Sequence, residues 1–194
     1  MQMVTMREVK ISGFTIVEFL AAVAIFSIVT GLAIGIFVMA MRSQRNILAQ
    51  QQVLDQVSYA KEYISRAIRM ARKDLSGSCL TTAGAKYNYE TNASKDRIRF
   101  LSYQNQCQEF FLDINANQIK ERRSTDSSAA NFQTALALTS PGLLVKSFKI
   151  EDSGWGQEDN LQPAVTMFLD IEGKEGIKIK IQTTISQRNL DVKY

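Results

Sequence analysis

One carboxylate, Glu18, stands inside an otherwise apolar run, and its placement calls for chemistry. From Phe14 to Met41 the chain reads FTIVEFLAAVAIFSIVTGLAIGIFVMAM, 28 residues with Glu18 as the one charge. An ionisable group in such a setting is costly unless it pairs or reaches an interface, which marks it as functional by default. Few other groups could support catalysis. The 194 residues include no histidine, which removes the commonest general base and the commonest metal ligand. Two cysteines, Cys79 and Cys107, cannot build a structural zinc site without histidine partners. No enzyme, cofactor or resident metal is expected. Lys and Arg total 23 against 19 Asp and Glu, and a net charge of +4 is too small a surplus to imply a polyanion partner.

Three further groupings invite a binding role. Asp113-Ile114-Asn115-Ala116-Asn117 opens like a calcium loop, D-x-N-x-N. Gln118 at position six and Ser124 at position twelve replace the required glycine and glutamate, so calcium is not expected there. Glu151 to Asn160 sets four acids around Trp155. It reads either as a cation or contact loop, or as a solvated hairpin loop with Trp155 folded back on a sheet. Arg122-Arg123, Lys174, Lys178 and Lys180 are the basic groups a DNA contact would use. Lys178 and Lys180 alternate as the solvent face of a strand would, so nucleic acid is an unfavoured partner.

These residues need elements to carry them. Phe19 to Met41 is 23 residues without a charge, enough for one helical membrane crossing. Its length, and its end at Met39-Ala40-Met41-Arg42 without a small-x-small site, argue against a cleavable secretory signal. Arg7 and Lys10 precede it and Arg42 and Arg45 follow, so flanking charge does not set its orientation. Gly31-Leu32-Ala33-Ile34-Gly35 is a literal GxxxG, open to three readings: a packing face, a point of local softening, or no role. Beyond Met41, Val53, Val57, Ala60, Ile64, Ala67, Ile68, Ala71 and Leu75 recur at helical spacing, with Glu62 and Arg66 as an i, i+4 pair. Ser76-Gly77-Ser78 supplies a stop, with Gly77 as a left-handed cap. Unbroken, this helix would run from Phe14 to Leu75, 62 residues and about 93 Å.

From Cys79 onward the pattern is that of strands. Arg97–Tyr103 and Gln108–Ile114 alternate, and Asp113–Gln118 is a turn before Ile119–Arg122 returns as a hairpin. Ser124 to Asn131 reads as a mobile loop, and Leu144–Ile150, Ala164–Ile171 and Ile177–Ile185 as further strands. The fold class is α+β: a long N-terminal helix packed on a small antiparallel sheet.

The N-terminus carries a specific resemblance. A polar leader ending Lys10-Ile11-Ser12-Gly13, then Phe14-Thr15-Ile16-Val17-Glu18, then an unbroken apolar helix, resembles the class III signal of type IV prepilins, which is shared by type II secretion pseudopilins and competence pilins. The motif covers about the first 30 residues. The resemblance implies cleavage after Gly13 by a prepilin peptidase and N-methylation of Phe14. It also implies a role in assembly for Glu18, pairing with the terminal amine of a neighbouring subunit. On this reading residues 1–13 are a leader, 14–41 a transmembrane and filament-core helix, 42–76 its amphipathic second half and 77–194 the head.

The partners implied are other pilin or pseudopilin subunits, the peptidase, an inner-membrane assembly platform and the membrane itself. The protein would rest in the inner membrane with its head outside the cytoplasm, then enter a periplasmic or extracellular filament. The strand order and the ending Gln182–Arg188 loosely resemble minor prepilins. Both cysteines would lie on the oxidising side, which favours a Cys79–Cys107 disulfide joining the helix end to the first hairpin. Major pilins of the type IVa group often carry their cysteine pair near the C-terminus, whereas this pair is early. The competing readings are a single-pass membrane-anchored sensor or binding module, and a DNA-contacting competence pilin.

Overall fold

Thr15 starts the first element, and no proline interrupts the chain before Pro141. The result is one helix, α1, Ile16–Arg69, continuous through Gly31 and Gly35. The computed structural model describes residues 13–80, 88–154, 161–173 and 176–188. The chain divides into two units, Met1–Asn46 and Ile47–Tyr194, with the boundary inside α1.

The second unit is an antiparallel β domain built on the C-terminal part of α1. Its strands are β1 (Glu90–Thr91), β2 (Arg97–Leu101), β3 (Cys107–Asp113), β4 (Gln118–Arg123), β5 (Leu136–Ala137), β6 (Leu144–Ser153), β7 (Ala164–Glu172) and β8 (Lys178–Ser186). They form two meanders, a five-stranded sheet β1-β2-β3-β4-β5 and a three-stranded sheet β6-β7-β8. The β3–β4 hairpin closes with Asp113 opposite Gln118, and Asn117 takes a positive φ of 50° in its turn. The backbone of β6 meets the turns of the first sheet, with Val145 N–H donating to Asn117 O at 2.9 Å and Ile150 N–H to Lys95 O at 2.8 Å.

Alternation explains which side chains are inside. On β7, Val165, Met167, Leu169 and Ile171 are buried while the residues between them are half-buried. They join Phe100 and Phe110 from the first sheet and Val53, Val57, Ile64 and Ile68 from the helix in one core. Full burial of a side chain such as Ile64 or Ile68 contributes about 1.5–3 kcal/mol. The helix packs tightly against Gly173, just after β7, where a Cβ would collide with Val53 Cγ2.

The helix stops earlier than its periodicity suggests. It ends at Arg69 instead of Leu75; Ala71 is buried outside the helix, and Leu75 is 80% exposed. Tertiary partners take over the terminal carbonyls, which would otherwise need a further turn. Arg188 N–H donates to Arg69 O at 2.8 Å, the Tyr89 hydroxyl to Ile68 O at 3.0 Å, and Gln187 Nε2 to Ala71 O at 2.8 Å. Arg72 has already turned away to bridge Leu101. Gly77 is left-handed, with φ of 66°, but it serves the loop after the helix and does not cap the helix itself. The expected loop over Ser124–Asn131 is tied down. It contains a 3-10 turn at Ala129–Asn131, and Ala129 N–H donates to Ser78 O at 3.1 Å.

Candidate functional site

Two regions collect the residues singled out above. In the first unit, Thr15 and Glu18 form a reciprocal cap at the start of α1. Thr15 N–H donates to Glu18 Oε2 at 3.0 Å and its hydroxyl to the same oxygen at 2.9 Å, while Glu18 N–H donates to Thr15 Oγ1 at 3.3 Å. This is a capping box, T-x-x-E, in which two N-terminal donors of the helix find acceptors. The three-residue spacing from Thr15 to Glu18 is the sequence signal for this cap.

The segment after the cap is apolar and uncovered. Its most apolar 18-residue window has a mean hydropathy of 2.5 and none of it is buried, so α1 can by length and composition cross a membrane once. Its hydroxyls are satisfied within the helix, Ser27 Oγ donating to Val23 O at 2.8 Å and Thr30 Oγ1 to Phe26 O at 2.7 Å. That is how polar side chains are tolerated in an apolar environment. Gly13, Gly31 and Gly35 have open space where a Cβ would stand. Phe14 is 84% exposed. Lys10, Ile11 and Ser12 lie outside the described residues.

In the second unit, Cys79 and Cys107 are bonded, with Cα atoms 5.3 Å apart, and both are fully buried. Leu80 and Leu101 pack around them. The helix-exit loop that delivers Cys79 is organised by one carboxylate. Asp74 Oδ2 accepts from Cys79 N–H at 2.8 Å and Leu80 N–H at 2.9 Å, while Oδ1 accepts from Gly77 N–H at 2.9 Å and Ser76 N–H at 3.1 Å. Burial opposes ionisation of Asp74, but these donors outweigh it and hold the carboxyl below the usual range. The Asp-x-Ser-Gly sequence is compatible with such a turn, but its tertiary role was not legible.

Arg122, Arg123 and Lys180 among the basic candidates are paired with carboxylates of the sheets. Arg122 Nη2 donates to Glu109 Oε1 at 2.5 Å, and Arg99 donates to Glu109 Oε2 through Nε at 2.9 Å and Nη2 at 2.8 Å. Glu109 is fully buried beneath them. On the opposite face of the sheet Arg123 pairs with Glu121 and reaches the Tyr63 hydroxyl. Burial, with Glu121 accepting its proton at 2.8 Å, pushes the Tyr63 phenol up to about 12. Lys180 stands 3.3 Å from Asp170, and Lys178 lies opposite Glu172 in the β7–β8 register.

Asp113, the first residue of the calcium-like loop, accepts from Asn115 N–H at 3.0 Å and Ala116 N–H at 3.2 Å and pairs with Lys120 at 2.6 Å. Its oxygens serve the turn. Of the Glu151–Asn160 segment, residues 151–154 are described, and Asp152 accepts from Thr91 Oγ1 at 3.0 Å. Trp155, Glu158, Asp159 and Lys174 lie outside the described residues. Comparison with protein-family models, curated proteins and solved structures finds no match.

Proposed function

We propose that this chain is a structural subunit of a type IV pilus-like filament or type II secretion pseudopilus, in the role of a minor, priming or tip subunit. The observation that carries the reading is a coincidence of register. Gly13-Phe14 immediately precedes the capped start of an uncovered apolar helix, and Glu18 sits in the first turn of that helix. Cleavage after Gly13 would place an α-ammonium on Phe14, four residues from Glu18. A charge of each sign, contributed by neighbouring copies, is then compensated within an apolar helix bundle where either alone would be costly. The antiparallel domain carries no part of this chemistry and is displayed beyond the membrane, where its disulfide persists.

The partners on this reading are other pilin or pseudopilin subunits, a prepilin peptidase and an inner-membrane assembly platform. Intact-mass analysis of the protein isolated from its membrane tests it: loss of residues 1–13 and one added methyl on Phe14 are expected. A chain that keeps residues 1–13 would instead be a single-pass anchored sensor or binding module.

A further inference from the structure

Between the last turns of α1 and the β2–β3 turn lies a cleft of about 370 Å³. Tyr63 and Arg66 line it from the helix, Met70 from the residue that follows the helix, Tyr103 from the β2–β3 turn, and Gln108 and Arg123 from β3 and β4. Met70 and Tyr103 also wall an adjoining depression bounded by Arg72 and Arg188. Four arginines therefore border the two, and no carboxylate is among the described lining residues.

Their guanidinium groups differ in how they are held. Arg123 is oriented from behind by Glu121 and Tyr63, which engage Nε and Nη2. A guanidinium carries five N–H donors in a planar fork, so the outer ones remain for a ligand. Among the described residues Arg66 has an exposed pairing with Glu62 at 3.5 Å, of the kind that contributes little. Arg72 Nη1 donates to Asn105 Oδ1 at 3.3 Å, and neither Arg72 nor Arg188 has a carboxylate partner among the described residues. The floor between these cations is apolar: half-buried Met70 beside Tyr103, which is 57% exposed.

The geometry points to a recognition cleft for an acidic peptide segment of a partner protein, with a carboxylate on the Arg66–Arg123 side and a neighbouring apolar side chain against Met70 and Tyr103. A planar fork suits a carboxylate bidentately. A short apolar floor suits a side chain better than a phosphate backbone, which needs a track of cations along a continuous groove. This inference lies wholly in the second unit and does not rest on the filament reading.

The test uses the full chain in nanodiscs of zwitterionic lipid, so that anionic headgroups do not compete. Fluorescence anisotropy is read with three probes: a capped peptide of alternating glutamate and leucine, its counterpart with glutamine for glutamate, and an oligo-dT strand. The glutamate peptide should bind at least about tenfold more tightly than the glutamine peptide. Arg66→Gln and the double change Arg72→Gln with Arg188→Gln should each weaken it about fivefold. The charge-matched control, Lys178→Gln with Lys180→Gln, should change it less than about twofold. Circular dichroism confirms that each variant is folded. No binding of the glutamate peptide, an equal loss in the lysine control, or tighter binding of oligo-dT would each overturn the assignment.

Discussion

On the proposed filament reading Glu18 would have two tasks, which single substitutions can separate. Its carboxylate accepts from Thr15 within the chain, and in a filament it would face a neighbour's Phe14 ammonium. Thr15→Ala removes the hydroxyl but keeps the charge. Glu18→Gln keeps an acceptor for Thr15 but removes the charge, and Glu18→Ala removes both. Loss of a cap costs about 1 kcal/mol of helix stability, whereas an uncompensated buried charge costs about 3–5 kcal/mol. Filament incorporation, measured by shearing, should therefore fall much further for Glu18→Gln and Glu18→Ala than for Thr15→Ala, with cleavage after Gly13 retained in all three. Equal losses for Thr15→Ala and Glu18→Gln would reduce Glu18 to a helix cap.

Asp74 offers a second residue-scale test, in the β domain. Its folded carboxyl titrates below that of the unfolded chain, so the stability it confers is present above the unfolded value and is lost as pH falls through the folded one. Asp74→Asn sets an amide nitrogen or a weaker acceptor against four backbone N–H groups. A loss of about 1–3 kcal/mol at neutral pH is expected. The difference from the parent protein should shrink as an acid titration of thermal unfolding approaches the folded value. A constant difference down to low pH would mean that the charge is not what matters.

The element that most constrains the β domain is the C-terminal part of α1. It packs against the β7–β8 connection at Gly173, which leaves room for Val53. Gly173→Ala should cost about 1–3 kcal/mol by overpacking, and Val53→Ala in the same chain should recover part of that loss. A double-mutant cycle in urea measures the coupling. Additive losses would show that the contact is not shared. The end of α1 shows why periodicity alone misplaced it. Ala71 and Leu75 continue the apolar spacing, so nothing local argues against another turn. The carbonyls of Ile68 and Arg69 are instead taken by Tyr89 and Arg188, which flank the first and last strands, and Arg72 pairs with Leu101. A helix end satisfied from distant sequence leaves no mark nearby.

At the scale of the whole chain, two kinds of stability coexist. Residues after Asn46 have their own core and a covalent link, whereas the apolar segment before it is stabilised by hydrogen bonds within the helix and has no buried stripe. Cys79→Ala with Cys107→Ala should lower the unfolding free energy of the β domain by about 2–4 kcal/mol. Denaturant unfolding followed by circular dichroism reads the loss. A change under about 1 kcal/mol would mean that the Asp74 loop alone holds the helix exit in place.

The sequence by itself determined what depends on neighbours along the chain. The uncharged apolar run sets a segment able to cross a membrane, alternation sets the longer strands, and Asp113–Gln118 sets a hairpin turn. Each is legible because helix and strand periods and turn chemistry are local. The pairing of Cys79 with Cys107 was also accessible, since two cysteines admit only one bond. Tertiary structure alone decided where α1 stops, how the strands divide into two sheets, and why Asp74 is buried. It also brought Arg66, Arg123 and Tyr103 from three separate elements to one cleft. Those outcomes turn on long-range hydrogen bonds and on side chains meeting across layers, and a linear pattern of residue types does not encode which distant group will supply the partner.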